Sequence, residues 1–257
     1  MTTRGEVYIG SILLEKSRWS RDKTPTYRVS EWAGRFADAG FDGMELWEYH
    51  ATLCDEDERR ALEASPCPVA IFNSYASMDE SGADARAKAV ELTKRLGASG
   101  VKFNVGRDPD ARQTYVDTVR EWGAQFPDDV RLLCECHPGT VIEEPAEARR
   151  FFDDVGGDRW QVIVHALSRP ERLGEWFDLF GDAVSHVHAQ LTREKEYVRL
   201  ERWPERVEET LRILSGNGFG GTYTLEFTEG THTDGETIEA LWENGVRDLA
   251  YLRKQLA

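Results

Sequence analysis

The chain has 257 residues, 40% hydrophobic and 31% charged, a size and balance that fit one large α/β barrel or two small domains. Its 47 acidic residues against 32 basic ones leave a net charge of −15, which opposes phosphate backbones and anionic membranes as partners. The opening MTTRGEVYIG contains no apolar leader, and no run is long enough to span a bilayer, so the expectation is a soluble cytoplasmic protein.

In chain order, Val7 to Leu14 reads as an apolar strand, followed by a polar loop from Glu15 to Thr26 that carries Trp19. Arg28 to Ala39 has helical spacing, with Trp32 and Phe36 four apart, and stops at Gly40. A second strand, Asp42 to Trp47, precedes a short helix from Asp55 to Ala64. Pro68 to Asn73 is the third strand, and Ala83 to Leu96 the helix after it, ended by Gly97. Strand four is Gly100 to Val105, and Pro109 near a first turn opens a helix that runs to Trp122. Strand five lies in Val130 to Thr140 and is cut off by Pro138-Gly139; its helix spans Glu144 to Val155. Trp160 to Leu167 and Ala183 to Leu191 are strands six and seven, with a helix from Pro170 to Phe180 between them. A charged loop, Arg193 to Arg202, leads to a helix from Pro204 to Leu214, strand eight from Thr222 to Phe227, and a last helix from Thr237 to Leu256. Strands and helices alternate without a linker or break in composition. The prediction is a single (β/α)₈ TIM barrel, α/β in class, over residues 1–257. A doubly wound sheet is disfavoured because no G-x-G-x-x-G loop follows the first strand.

Side chains alternate along a strand, so Leu133, Glu135 and His137 share one face of strand five, and Leu132, Cys134 and Cys136 the other. Cys134 and Cys136, like Cys54 and Cys67, lack C-x-x-C spacing and read as reduced thiols packed as small hydrophobes. The last four strands each place an ionisable residue near the C-terminal end: Glu135, His165, His188 and Glu226. Taken singly, either histidine fits a hydrogen-bonded core residue, and Glu226 fits an ion-pair partner of Lys102. Four at one level of consecutive strands converge on the barrel mouth, where active sites of this fold lie. Two imidazoles and two carboxylates there suit one divalent metal, with Mn²⁺ the first choice, then Co²⁺, Fe²⁺ or Zn²⁺, and Mg²⁺ less favoured by imidazole.

These pieces carry a resemblance. Ala39-Gly40-Phe41-Asp42-Gly43-Met44-Glu45-Leu46, Glu135-Cys136-His137-Pro138-Gly139, Ser185-His186-Val187-His188 and Leu225-Glu226 resemble the xylose isomerase-like barrel superfamily, in particular its sugar-phosphate isomerase/epimerase branch. In ketose 3-epimerases of that branch a Glu, an Asp, a His and a Glu on strands five to eight bind one metal, and the two Glu residues are the paired acid and base. The resemblance therefore implies Glu135, His165, His188 and Glu226 as ligands, with Glu135 and Glu226 also catalytic. His165 stands where the branch has Asp, and Ser168 where a second His often follows. The DNA-repair endonucleases of the superfamily use further His and Asp ligands that are not all matched here.

The implied chemistry is proton abstraction from a small polyhydroxylated carbonyl substrate, a sugar or keto-sugar, through a metal-stabilised enediolate. Return of the proton to the other face epimerises, return to the adjacent carbon isomerises, and expulsion of a β-substituent makes a dehydratase or lyase. A barrel retired to a binding or assembly role is the non-enzymatic alternative. His137 is a candidate acid for a leaving group, and Lys102, sharing an inward face with Asn104, a candidate for holding substrate or pairing with Glu135. Glu45 and His50 are expected to flank the mouth, and Trp19, Trp47, Phe72 and Phe227 are candidates for its apolar walls. The basic residues Arg193, Lys195, Arg199 and Arg202 offer either a clamp on an anionic substrate or a solvated loop or subunit contact in a homo-oligomer.

Overall fold

The computed structural model describes residues 5–257; residues 1–4 of the expected domain lie outside it. Eight parallel strands close on themselves: β1 (Val7–Gly10), β2 (Gly43–Trp47), β3 (Val69–Asn73), β4 (Gly100–Phe103), β5 (Arg131–Glu135), β6 (Trp160–Val164) and β7 (Val184–His188) follow one another around the barrel. A short antiparallel pair, β8 (Leu191–Arg193) and β9 (Glu196–Val198), sits outside it, and β10 (Thr222–Leu225) closes the ring between β7 and β1. The predicted single (β/α)₈ barrel is the fold observed.

The outer ring consists of α1 (Ser30–Ala39), α2 (Glu48–Thr52), α3 (Glu56–Glu63), α4 (Ala83–Arg95), α5 (Arg112–Gly123), α6 (Pro145–Val155), α7 (Leu173–Phe180), α8 (Pro204–Gly216) and α9 (Ile238–Gln255). Their ends follow local chemistry. Asp55 and Thr237 cap α3 and α9 by accepting from the Glu58 and Ala240 amides, and proline opens α6 and α8, where no amide donor is needed. Gly40 ends α1 with a φ of 93°, which a residue with a Cβ adopts only at a cost.

The structure differs from expectation in several places: α2 has no counterpart among the predicted helices, and strands six and seven end at Val164 and His188, short of Leu167 and Leu191. The first strand ends at Gly10, and Ser11–Leu14 turns as a 3₁₀ helix because the Ser11 hydroxyl accepts from the Trp47 amide and so bends the chain across β2. The loop after it contains a second 3₁₀ turn, Lys16–Trp19. The charged loop after strand seven is the β8–β9 hairpin, turning on Glu194 and Lys195, both with φ above 50° as two-residue hairpins require.

Inside the barrel, side chains are stacked by polarity. Tyr8, Ile71, Leu133 and Ile163 form an apolar floor. Directly above it, toward the C-terminal ends, lie buried Glu45, Asn73, Lys102, Glu135, His188 and Glu226. A floor that excludes water from below strengthens every charge interaction above it. Gly10 sits where a Cβ would come within 3.2 Å of the Leu225 carbonyl and 3.3 Å of the Glu226 Cα, so its lack of a side chain lets β1 lie against the strand end that carries Glu226.

The long first βα loop is closed at its neck by Glu15. This buried carboxylate accepts from the Ser17 amide at 2.8 Å, the Thr26 amide at 2.9 Å and hydroxyl at 2.6 Å, and His50 Nε2 at 2.9 Å. Burial alone raises its pKa, but these donors outweigh it and bring it down to about 2. His50 Nδ1 in turn accepts from the Ser11 hydroxyl at 2.9 Å. His50 therefore serves this neck and does not flank the mouth. At the other side, Asp248 of α9 accepts from the Leu200 amide at 2.7 Å and from the Thr228 hydroxyl, tying the segments after β9 and β10 to one helix.

Candidate metal centre

Glu135, His165, His188 and Glu226 converge at the mouth, each offering a ligand atom within 4.8 Å of the others. Alternation along β5, β7 and β10 turns Glu135, His188 and Glu226 inward, with Glu226 one residue past its strand and His165 one past β6. Three of the four are buried and His165 is half-buried. His188 Nδ1 lies 3.3 Å from Glu226 Oε2 and 3.6 Å from Glu135 Oε1, yet is aligned for a hydrogen bond with neither. A buried ring nitrogen facing two carboxylates without bonding them fits a ligand to a cation between them. The donor set, two imidazoles and two carboxylates, suits a borderline divalent ion.

The other ring nitrogen of His188 is held from below. Its Nε2 lies 3.2 Å from Glu45 Oε2, and the opposite Glu45 oxygen accepts from Asn73 Nδ2 at 2.7 Å. Glu45, expected at the rim, is thus beneath the centre: it is the middle residue of β2, its side chain inside the barrel, and only 1% of its surface is exposed. Burial opposes its charge, but the His188 and His186 imidazoles outweigh that and hold its carboxyl well below the usual range. Glu45, His186 and His188 form a second cluster of donors. His186, however, is fully engaged by the Thr222 and Thr224 hydroxyls at 2.7 and 3.0 Å, and burial pushes its pKa down to about 4, so it supports the wall as a neutral ring.

Lys102, fully buried, reaches Glu135 Oε2 at 2.6 Å and donates to Asn104 Oδ1 at 2.8 Å. Asn104 Nδ2 donates to the same Glu135 oxygen at 3.0 Å, and His165 Nε2 lies 2.7 Å from Glu135 Oε1. Burial works against the Glu135 charge, but Lys102 and the imidazoles overcome it and hold the carboxyl well below the usual range. Of the two expectations for Lys102, pairing with Glu135 is the contact made. Glu226 has no such company; its nearest charged partner is His188. Gln190, two residues beyond His188 on the same face, donates through Nε2 to His165 Nδ1 at 3.1 Å and leaves its buried Oε1 without a partner. The His186, His188, Gln190 alternation in the sequence is the signal that places Gln190 on this face.

A cavity of about 440 Å³ opens above the centre, reaching Glu135, Glu226, His165 and Gln190. Trp19, Trp47 and Phe227 line it as expected; Phe72 does not, because it faces outward into the layer between barrel and helices. Tyr197 of β9 packs on Phe227, ring centres 5.0 Å apart, and is the residue the hairpin contributes to the cavity. The hairpin's cations stay outside it. Arg199 pairs with Glu201 at 2.7 Å, Arg202 donates to Glu229, and Arg193 lies over Trp203. His137 is exposed at the rim, its Nδ1 2.8 Å from the Pro138 carbonyl oxygen, and it lines both this cavity and an adjoining one of about 230 Å³. The four cysteines are free, and Cys67, Cys134 and Cys136 are buried. No described helix is long and apolar enough to cross a membrane.

Similar architectures are found among solved structures. A xylose isomerase-like TIM barrel protein from Mycobacterium smegmatis, in complex with magnesium, is 16% identical over 98% of both chains, with a TM-score of 0.66. D-psicose 3-epimerase in the presence of D-fructose is 15% identical over 98% of this chain and 99% of that one, at 0.71. The probable 3-DHS dehydratase of petrobactin synthesis from Bacillus anthracis is 13% identical over 95% and 98%, also at 0.71. At such identities the likeness is one of fold. A search of curated protein sequences finds no match. The family model described as xylose isomerase-like TIM barrel matches residues 34–254, which include all four residues of the centre, and the chain belongs to that family.

Proposed function

We propose that the protein is a divalent-metal-dependent isomerase or epimerase acting on a small polyhydroxylated carbonyl compound. The observation that carries this reading is the buried His188 Nδ1, left unbonded between the Glu135 and Glu226 carboxylates. Glu135, His165, His188 and Glu226 would hold the ion. When bound, it supplies polarisation of a carbonyl and adjacent hydroxyl, easing departure of the carbon-bound proton.

The residues divide the remaining work by their surroundings. Both Glu135 oxygens are occupied, by Lys102 and Asn104 on one side and His165 on the other, so this carboxylate is a fixed anion with a weak claim on a further proton. Glu226 is less encumbered and is the better base. Lys102 stands behind Glu135 as a cation that counters charge developing on the substrate. The unpartnered Gln190 Oε1 accepts a substrate hydroxyl, and the aromatic wall of Trp19, Trp47 and Phe227 covers sugar C–H faces and excludes water.

A second reading, a dehydratase or lyase, draws on His137. Its ring sits at the rim 6.4 Å from that of His165, where a leaving hydroxyl would need an acid, and one similar fold is a probable dehydratase. The test is solvent deuterium exchange into a panel of ketoses with manganese-loaded protein. Glu226→Gln and Glu135→Gln should lower exchange by roughly 10²–10⁴, with the larger fall at Glu226. Exchange that survives in both variants would place the base elsewhere. Exchange accompanied by loss of water, abolished by His137→Gln, would select the dehydratase.

A further inference from the structure

The mouth holds a cation whose hydrogen-bonding capacity is half spent. Arg18 comes from the 3₁₀ turn of the first βα loop and is only 3% exposed. Its Nη1 pairs with Glu236 at 2.9 Å. The opposite edge of the guanidinium, Nε and Nη2, has no hydrogen-bond partner among the described residues and almost no surface open to water. Two adjacent N–H groups of one guanidinium edge point in the same direction and match the two oxygens of a carboxylate. Burying such charged donors unsatisfied is expensive, and a protein that holds them so has a partner for them in some liganded state.

The surroundings point to a ligand in the cavity as that partner. Arg18 lines the same cavity as Glu226 and Glu135. The Trp19 ring centre lies 4.6 Å from the guanidinium carbon, and this residue, 49% exposed, packs against Phe227 and His232 as an aromatic cover. Lys23 lines the cavity too, its φ of 53° turning it back so that its ammonium donates to the Arg18 carbonyl and holds the turn in place. Arg107 stands at the opposite rim, exposed and without a carboxylate partner among the described residues. Three cations, Arg18, Lys23 and Arg107, share the cavity lining with the Glu135 and Glu226 carboxylates, so the rim can balance an anionic ligand although the chain as a whole has an excess of 15 negative charges.

We infer that the Nε–Nη2 edge of Arg18 is a carboxylate-recognition site, so that the substrate is an acidic polyhydroxylated carbonyl compound such as a keto-uronate, its carboxylate on Arg18 and its carbonyl toward the Glu135–Glu226 centre. Trp19 moves aside to admit the carboxylate and then covers it. This rests on the proposed function for the carbonyl end only; recognition of the carboxylate stands on Arg18 itself.

The test separates the two. D-gluconate and D-sorbitol differ by a carboxylate and neither has an aldehyde or ketone, so neither can undergo the proposed isomerisation. Their binding is measured by calorimetry in saturating manganese for the wild type, Arg18→Met, Arg18→Lys and Glu236→Gln. The wild type should prefer gluconate by roughly 10–100-fold. Arg18→Met should abolish the preference, and Arg18→Lys, which keeps the charge but loses the fork, should lose most of it. Glu236→Gln breaks the ion pair while leaving the free edge intact, so it should keep the preference. No preference in the wild type, a preference that survives Arg18→Met, or an equal loss in Glu236→Gln would overturn the inference. Tighter binding of inorganic phosphate than of gluconate would overturn the carboxylate assignment in favour of a phosphate ester. Should Arg18→Met fail to fold, Arg18→Lys against Glu236→Gln decides by the same criterion. An Arg18-dependent preference in a protein that exchanges neither ketoses nor keto-uronates would leave this inference standing and remove the isomerase reading; exchange into neutral ketoses without that preference does the reverse.

Discussion

His188 has two ring nitrogens with different duties. Nε2 is held by Glu45, so Nδ1 is the one presented upward, and rotation of the ring would break the lower contact. Glu45 is therefore a positioning residue, and such partners typically govern metal affinity by 10–100-fold. Glu45→Gln should weaken manganese binding by about that factor in calorimetric titration while leaving the circular dichroism spectrum unchanged; affinity equal to wild type would show that His188 needs no such support. The four mouth residues were legible in the sequence because strand alternation and βα spacing are enough to bring them together. Glu45 was legible as a residue but not in its role, since only the barrel's curvature shows that it lies beneath His188 and not beside the substrate. Arg18 was not legible at all, because nothing in a polar loop distinguishes a cation turned inward from one in solvent.

At the level of elements, α9 acts as a clamp. Asp248 holds the Leu200 amide and the Thr228 hydroxyl, and thereby the segments that follow the hairpin and β10. Burial is the main reason its pKa is pushed up to about 7, the two donated hydrogen bonds only partly opposing it. An acid whose folded pKa is raised contributes stability that is complete below its ordinary value, 3.8, and is lost as pH rises through 7. Between pH 5 and pH 8 the wild type should lose about 2–3 kcal/mol relative to Asp248→Asn, which cannot ionise. Urea denaturation of both proteins at the two pH values measures this, and parallel changes would show that Asp248 titrates normally. The eight strands and their helices were readable from period and punctuation. The hairpin was not, because Arg193 to Arg202 lacks apolar alternation and its turn is built on Glu194 and Lys195, which carry no glycine signal.

Across the whole molecule, charge and interior order work together. The net charge of −15 should prevent measurable binding to duplex DNA near physiological salt. Fluorescence anisotropy with a duplex containing an abasic site is the check, and saturable binding or cleavage of that strand would revive the endonuclease alternative. Within this acidic envelope, the apolar floor of Tyr8, Ile71, Leu133 and Ile163 isolates the charged centre from below. Among the described residues the cavity above the centre opens at the mouth, where residues of the βα loops line it. The first loop is tied to the segment after β10 by the Arg18–Glu236 pair and is held at its own neck by Glu15. Glu15 grips both ends of that loop, at Ser17 and Thr26, so the stretch between them, with Arg18, Trp19 and Lys23, is a cassette fastened at its neck apart from the metal-ligand candidates. On the proposed reading, drift in that tip changes which molecules are accepted while Glu135, His165, His188 and Glu226 stay in place. Inheritance and laboratory selection alike can therefore treat appetite and chemistry in this scaffold as two separately editable traits.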